Sequence, residues 1–281
     1  MPAARLPVLD HVAVAVEAWP MAWPRYVTEL GADWSSGGVQ LGFAPSQLRF
    51  ANGARLEVLQ PWQIEANDFL RRFLDRNGPG PHHMTFKVPD IVAMLDRMAD
   101  AGFTPVSVDL RDPFWKEAFL HPKDATGVVV QVAQSDASFT TPAPEGFPVE
   151  RPPVPAALSH VTHAVADLGQ GLALFAGLLG GTPEPARRSP DGAWECVTVR
   201  WDGPLAVRLV APTTAAPETH PLRQWLGGRD GRVHHLALSQ PGPASPADGG
   251  AAGVLPDEEP VTVVEPDDNL GVRLVVRRTP T

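Results

Sequence analysis

Four short segments of the chain alternate apolar and polar residues, and each carries a histidine near its start. Alternation with a period of two places successive side chains on opposite faces of a β-strand. In the first three cases a stretch with helical spacing follows, over residues 19–30, 91–101 and 169–179. The pattern therefore predicts that each segment is a strand that opens a repeated unit: Leu9–Val16, His83–Val88, Ser159–Val165 and Val233–Gln240.

Further strands complete each unit. In the first unit, Asn52 and Gly53 separate two alternating runs, which is the pattern typical of a tight β-hairpin. Similar runs follow the other opening segments, so the sequence predicts an α+β protein built from four βαβββ units in two pairs. The last unit is expected to have an eroded helix, because residues 241–256 are rich in glycine and proline.

The two halves of the chain repeat one another. The spacing between the opening histidines of the first half nearly equals the spacing in the second half, as these positions show: His11 and His83, then His160 and His235. Such internal spacing indicates a duplication. We predict a first domain over residues 1–134, a proline-rich linker over 135–156 and a second domain over 157–281.

Composition restricts the class of protein. The chain has 281 residues, of which 43% are hydrophobic and 20% charged, so it can bury a sizeable core. A formal charge of −9 argues against a nucleic-acid partner. A single cysteine, Cys196, fits a reducing compartment. With no signal-like start and no membrane-length apolar run, we predict a cytoplasmic monomer or homodimer that acts on a small molecule and has no membrane partner.

Several motifs resemble a known superfamily. They are LDHVAVAV, RLEVLQP, GPGPHHMTFKVPDI and FLHPKDATGVVVQVAQ in the first half, and LSHVTHAVADL, VHHLALS and EPDDNLGVRLVV in the second. The chain resembles the vicinal oxygen chelate superfamily, which includes glyoxalase, bleomycin-resistance protein and extradiol dioxygenase. The first half resembles the methylmalonyl-CoA epimerase branch. The resemblance implies that each pair of units forms an open eight-stranded cup.

In that superfamily the cup holds a divalent metal ion. Matching the motifs position by position implies four ligands in the first half: His11, Glu57, His83 and Gln131. Gln131 is a departure, because the epimerase branch has glutamate there. Alternation supports the same four positions independently, because each polar side chain lies opposite an apolar stripe of its own strand. Two imidazoles, a carboxylate and an amide oxygen suit Zn²⁺, Co²⁺, Ni²⁺, Mn²⁺ or Fe²⁺.

The second half departs from this pattern. Its equivalent positions are His160, Arg208, His235 and Val275. Arginine offers no lone pair and valine no donor atom, so we predict that this half holds no metal ion. A structural role or an anion-binding cup are the alternatives. His163, on the apolar face of its strand, is predicted to be a core histidine.

The chemistry requires an acid or base beside the metal. An epimerase needs a base that removes a proton α to a carbonyl group, yet residues 34–56 contain no acid, and Gln40 lies near the expected place. If residues 121–127 form a simple hairpin turn, Glu117 faces Gln131. Glu117 is therefore a candidate base or an additional ligand. The candidate catalytic residues are Glu117 and Glu57.

Three functions remain open at this point. The first is a metal-assisted isomerase, epimerase or lyase that acts on an enolisable carbonyl compound such as an acyl-CoA or an oxo acid. The second is an iron-dependent extradiol-type dioxygenase, which also uses two histidines and a carboxylate. The third is a metal-free protein that binds small molecules, as in the bleomycin-resistance branch.

Overall fold

Two eight-stranded sheets dominate the structure, a computed structural model that describes residues 7–136, 139–242 and 261–279. The first sheet has the strand order β2-β3-β4-β1-β5-β8-β7-β6. Its strands are β1 Val8–Ala15, β2 Asp33–Gly37, β3 Gly42–Arg49, β4 Arg55–Trp62, β5 Gly80–Lys87, β6 Pro105–Asp109, β7 Lys116–Leu120 and β8 Val129–Gln134. β1 pairs with β4 and β5 pairs with β8 in parallel, while the hairpin partners run antiparallel.

The second sheet repeats this arrangement with the order β10-β12-β13-β9-β14-β16-β15, and β11 pairs with β12 beside that path. Its strands are β9 Ala157–Val165, β10 Thr182–Pro183, β11 Arg187–Arg188, β12 Trp194–Arg200, β13 Ala206–Pro212, β14 Gly231–Pro241, β15 Val261–Val264 and β16 Leu274–Thr279. The two sheets confirm the predicted α+β fold with paired βαβββ units. The domain boundaries proposed from the linker composition stay a prediction.

Four α-helices lie among the described residues: α1 Phe69–Asn77, α2 Ile91–Asp100, α3 Leu168–Leu172 and α4 Pro221–Leu226. Asp90 begins α2 by accepting hydrogen bonds from the main-chain N–H groups of Val92 and Ala93. None of the helices in the described ranges has the length and apolar character needed to cross a bilayer.

The first predicted helix has a different form from the one expected. Residues 19–30 form a 3₁₀ turn, Trp19–Ala22, followed by a π-helix, Pro24–Glu29. Pro20 and Pro24 lack the N–H group that an α-helix interior requires, which explains the change of hydrogen-bond pattern at Trp23. The expected loss of the last helix concerns residues 241–256, most of which lie outside the described ranges.

One compact unit of the chain contains α2 and β6 to β8 together with β10 to β13. Phe86 lies at its core, with ring centroids 5.0 Å from Trp201 and 6.1 Å from Phe175. Arg97 on α2 donates a hydrogen bond of 2.7 Å to the main-chain carbonyl oxygen of Leu178. Aromatic packing and this helix-end contact join the second and third repeats into one core.

The other compact unit contains β2 to β4 together with β15 and β16. Here the buried hydroxyl of Tyr26 accepts a hydrogen bond of 3.1 Å from the Asn269 side chain, which also donates to the carbonyl oxygen of Val272. Asn52, in the predicted hairpin turn, donates a hydrogen bond of 2.8 Å to the carbonyl oxygen of Leu158. The two bonds of Asn269 satisfy polar groups that would otherwise be costly to bury.

Two pairs of main-chain segments approach so closely that only glycine fits. A Cβ atom on Gly127 would lie 1.9 Å from the carbonyl oxygen of Gly231, which opens β14. A Cβ atom on Gly271 would lie 1.8 Å from the carbonyl oxygen of Pro79, next to Gly80 at the start of β5. The two contacts are equivalent. The first joins the last turn of the second repeat to the opening strand of the fourth repeat, and the second joins the last turn of the fourth repeat to the opening strand of the second.

The Gly127 contact can be tested against a glycine with the same backbone conformation. Gly127 and Gly102 have φ angles of +83° and +80°, but nothing lies within 4 Å of a Cβ atom on Gly102. We predict that Gly102→Ala lowers the free energy of unfolding by only about 1–2 kcal/mol, the cost of the left-handed conformation. Gly127→Ala adds a main-chain clash and should cost at least ~2 kcal/mol more. Equal losses in urea unfolding would show that the close approach to Gly231 has no energetic effect.

A buried histidine makes stability depend on pH. His163 is fully buried, as predicted, and its Nε2 donates a hydrogen bond of 2.8 Å to the carbonyl oxygen of Thr126. Burial lowers the pKa of His163 to about 4, although the hydrogen bond to Thr126 opposes this shift. The unfolded chain, with an ordinary histidine pKa of about 6.5, therefore takes up a proton first as the pH falls. The stability gained from neutral His163 is complete above pH ~6.5 and is lost as the pH approaches 4.

We predict that this residue alone removes about 2 kcal/mol of unfolding free energy between pH 7 and pH 5. His163→Gln retains a donor for Thr126 and cannot be protonated in this range. The loss between pH 7 and pH 5, measured by urea unfolding in the presence of a chelator, should be smaller in this variant by about that amount. An identical pH dependence in both proteins would show that His163 is not responsible.

Candidate metal centre

Three neighbouring strands of the first sheet bring together two histidines and a glutamate. His11 lies on β1, Glu57 on β4 and His83 on β5, and these strands are adjacent in the order β4-β1-β5. All three side chains are buried, and their potential ligand atoms lie within 4.8 Å of one another. We call the face that carries them the site face. The alternation of each strand is what directs these polar groups to the same side.

The donor atoms fit a divalent cation. Nε2 of His11 lies 3.5 Å from a carboxylate oxygen of Glu57. Imidazole nitrogens and a carboxylate oxygen that converge at this separation match the ligand types of zinc and of other divalent first-row metals. His11, Glu57 and His83 would hold the ion, and Glu57 would supply the negative charge of this group.

Gln47 lies next to His11, Glu57 and His83, although the sequence pattern did not identify it as a site residue. It pairs with Glu57 in the register of β3 and β4, and its Nε2 lies 3.5 Å from Nδ1 of His11. A partner at one ring nitrogen orients the imidazole so that the other nitrogen faces the metal position. The Asn52-Gly53 pattern predicts the hairpin but not this register, because a two-residue turn would place Leu48 opposite Glu57. The turn instead has three residues, 51–53, and Phe50 pairs with Ala54. Gln40 instead lies exposed in the turn before β3 and pairs with Phe43.

Gln131 lies on the site face, in register with Thr85 on β5. The hydroxyl of Thr85 donates a 2.5 Å hydrogen bond to Oε1 of Gln131, and Nε2 of Gln131 donates a 2.6 Å hydrogen bond to Glu117. A carbonyl oxygen has two lone pairs, so Oε1 could accept from Thr85 and still bind a cation. Its role as a ligand stays a prediction. Thr85 was missed, although it lies two residues after His83 and so on the same face.

The predicted pairing of Glu117 is wrong by two residues. Glu117 lies opposite Ala133, and Phe119 lies opposite Gln131, because the turn between β7 and β8 is longer than a simple hairpin. A shift of two residues leaves Glu117 on the same face of the sheet. Its carboxylate therefore still reaches Gln131, and the same oxygen, Oε2, accepts a hydrogen bond of 2.7 Å from Nε1 of Trp115.

His82 serves the packing around the site. Its ring lies 4.7 Å from Phe73 and 6.2 Å from Phe69, both on α1, between ring centroids. Burial lowers the pKa of His82 to about 4, and the charge of Glu57 opposes this shift. α1 also covers the apolar end of the site face, where Leu70 and Leu74 pack with the small residues of β1. That end of the site face is therefore apolar and buried.

Comparisons with known proteins show which family this chain resembles. Residues 10–119 match the family model described as the Glyoxalase/Bleomycin resistance protein/Dioxygenase superfamily. An ethylmalonyl-CoA/methylmalonyl-CoA epimerase from Cereibacter sphaeroides is 31% identical over 136 residues, which cover 45% of this chain and 96% of that protein. The similarity that the sequence motifs indicated is therefore confirmed.

A solved structure with the same fold spans nearly the whole chain. A variant of 4-hydroxymandelate synthase from Streptomyces coelicolor matches 98% of this chain and 94% of its own, with a TM-score of 0.62 and 16% identity. At that identity the likeness concerns the fold alone. Methylmalonyl-CoA epimerase from Mycobacterium tuberculosis is 27% identical and covers 49% of this chain and 94% of its own, with a TM-score of 0.42.

The cluster predicts how metal binding responds to substitution. Glu57→Gln keeps the shape of the side chain but removes the carboxylate, so the affinity for Zn²⁺ or Co²⁺ should fall by more than the roughly 10–100-fold typical of residues that only orient a ligand. Glu65→Gln is the matched control, since Glu65 is exposed in the turn after β4. Competition with a chromophoric chelator, on protein without a polyhistidine tag, measures both. Equal affinities in the two variants would exclude Glu57 as a ligand.

Proposed function

Because the chain belongs to the glyoxalase/bleomycin resistance/dioxygenase superfamily, we propose that it is a metal-assisted enzyme that removes a proton α to a carbonyl group. Its substrate would be an acyl-CoA or an oxo acid, and its reaction an isomerisation, epimerisation or lyase reaction. The observation that carries this proposal is the buried group of His11, Glu57 and His83, whose ligand atoms lie within 4.8 Å of one another.

A divalent cation held by these three residues would polarise the carbonyl oxygen of the substrate and stabilise the enolate that forms when the proton leaves. The protein then has to supply the base. Glu117 is on the same face of the sheet, and both of its hydrogen bonds, from Trp115 and Gln131, fall on Oε2. Oε1 is the oxygen that takes the proton. The two donors fix the orientation of the carboxylate, as general-base catalysis requires.

A single base favours some reactions of this class over others. Epimerisation by two bases needs a proton donor on the opposite side of the α-carbon. β3 contributes Gln47 beside Glu57, and residues 34–56 contain no acid. We therefore favour a one-base isomerisation or lyase reaction. The acyl-CoA class is suggested by the epimerase relative, which is named for ethylmalonyl-CoA and methylmalonyl-CoA.

A second candidate function is ring cleavage by an iron-dependent dioxygenase. The observation that favours it is the donor set itself, because two histidines and one carboxylate also form the facial triad of non-haem iron oxygenases. Anaerobic loading with Fe²⁺, followed by oxygen and a catechol, distinguishes it. Formation of a yellow ring-cleavage product would replace our proposal with this one.

The proton-abstraction proposal predicts exchange with solvent. Protein loaded with Co²⁺ should incorporate deuterium from D₂O at the α-carbon of methylmalonyl-CoA or of a 2-oxo acid, as followed by mass spectrometry. Glu117→Gln should slow this exchange by about 10²–10⁴-fold, the usual contribution of a general base. Its metal content should remain that of the unmodified protein, because the His11, Glu57 and His83 cluster is intact.

Glu65→Gln again serves as the control and should exchange at the normal rate. Absence of exchange with every substrate in the unmodified, metal-loaded protein would refute the proposed chemistry. Normal exchange in Glu117→Gln would refute only the role of Glu117. A protein that binds no divalent metal at all would point to the metal-free binding function.

A further inference from the structure

An open groove with a volume of about 500 Å³ lies at the β2 edge of the first sheet. Asp33 and Trp34, at the start of β2, form one wall together with Arg49, at the end of β3. The opposite wall comes from residues 143–151, in the segment that the sequence predicts as a linker. Small-molecule sites typically have volumes of about 300–1,000 Å³. The groove therefore has the size of a ligand site.

The linker wall of the groove is bonded to β2 at both ends. Before the wall begins, the hydroxyl of Thr141 accepts a 2.8 Å hydrogen bond from the main-chain N–H of Gly37, and its carbonyl oxygen accepts one of 2.9 Å from Nε1 of Trp34. Where the wall ends, Nε of Arg151 donates a 3.2 Å hydrogen bond to Asp33. The groove is thus formed in the free protein, so little ordering opposes the binding of a ligand.

Aromatic rings supply the apolar part of the groove. Phe147 packs edge-on against Trp34 and Trp23, with ring centroids 5.5 Å apart in both pairs. Trp34 and Phe147 both line the groove and are only partly buried, and Pro144 and Pro148 lie beside them. A flat apolar group can therefore pack against rings whose positions are already fixed.

Arg49 supplies the charge. Its side chain is exposed and has no ion pair or hydrogen bond within the described part of the chain. Its strand neighbours are Asp33 and Arg55, and Asp33 is already bonded to Arg151. Like charges directly opposite each other, as in Arg49 and Arg55, destabilise a sheet. A bound anion would offset that repulsion.

We propose that this groove binds a small aromatic carboxylate, with its ring against Trp34 and Phe147 and its carboxylate paired with Arg49. The fork of a guanidinium group matches the two oxygens of a carboxylate. The acidic residues of the linker wall, Glu145 and Glu150, do not line the groove. The site shares no residue with the metal centre and does not depend on the reaction proposed there.

The test uses the full chain treated with a chelator, so that a carboxylate cannot bind to metal at the first sheet. Sodium benzoate, sodium acetate and benzyl alcohol are titrated separately at matched ionic strength, and binding is measured by calorimetry. Benzoate should bind more tightly than the other two compounds, because acetate lacks the ring and benzyl alcohol lacks the charge.

Substitution of Arg49 tests the charged contact. Arg49→Gln should weaken benzoate binding about tenfold or more, the effect expected for loss of a hydrogen bond to a charged group. Arg49→Lys keeps the charge but loses the fork, so its affinity should lie between those of Arg49→Gln and the unmodified protein. Because Arg49 is exposed, neither change should lower the melting temperature of the free protein.

Three further variants distinguish this groove from other places on the protein. Phe147→Leu keeps apolar bulk but removes the ring, and should weaken benzoate binding several-fold while circular dichroism shows a folded chain. Arg76→Gln removes an exposed guanidinium group from α1 and should change the affinity by less than about twofold. Glu57→Gln, at the metal centre, should leave the affinity unchanged.

The proposal is overturned if benzoate binds no more tightly than acetate, or if Arg49→Gln retains normal affinity for benzoate. Tighter binding of adenosine monophosphate than of benzoate would overturn the carboxylate assignment. Loss of benzoate binding in Glu57→Gln but not in Arg49→Gln would place the ligand at the metal centre instead.

Discussion

The main-chain contacts at Gly127–Gly231 and Gly271–Pro79 are the constraint on which this arrangement of repeats depends. Each contact leaves no room for a Cβ atom, so the segments can approach this closely only with glycine at Gly127, Gly231 and Gly271. The second contact lies beside Gly80, where β5 begins. Because a strand rises by a fixed distance per residue, fixing its start also fixes the depth at which His83 lies in the sheet.

The same fold carries different chemistry in its two sheets because the strands determine positions and not residue types. Glu57 and Arg208 occupy equivalent places, each one residue row from the opening histidine of its unit. In the first sheet the neighbours of that position are an alanine and an amide, which leave the carboxylate to the histidines. In the second sheet the neighbours of Arg208 are two threonines, Thr162 and Thr198.

Periodicity made much of this predictable from sequence. The alternation of β1, β4 and β5 identified the face on which His11, Glu57 and His83 lie, and the turn at Asn52-Gly53 identified the hairpin beside them. The strand partner predicted for Glu117 was Gln131, whereas the structure pairs Glu117 with Ala133. The prediction was wrong because no repeating pattern in the sequence gives the length of the turn after β7. Similarly, the hydrogen bond from Thr85 to Gln131 depends on side-chain rotamers, which spacing alone does not specify.

The positions of Glu57 and Arg208 also bear on how the two halves diverged. In a symmetric dimer of identical chains, any substitution appears in both subunits at once, so a change that destroys one site destroys its copy. Here the two copies are encoded separately. The chain can thus retain a carboxylate at Glu57 while an arginine replaces its counterpart, and the second copy is released from the selection that preserves the first.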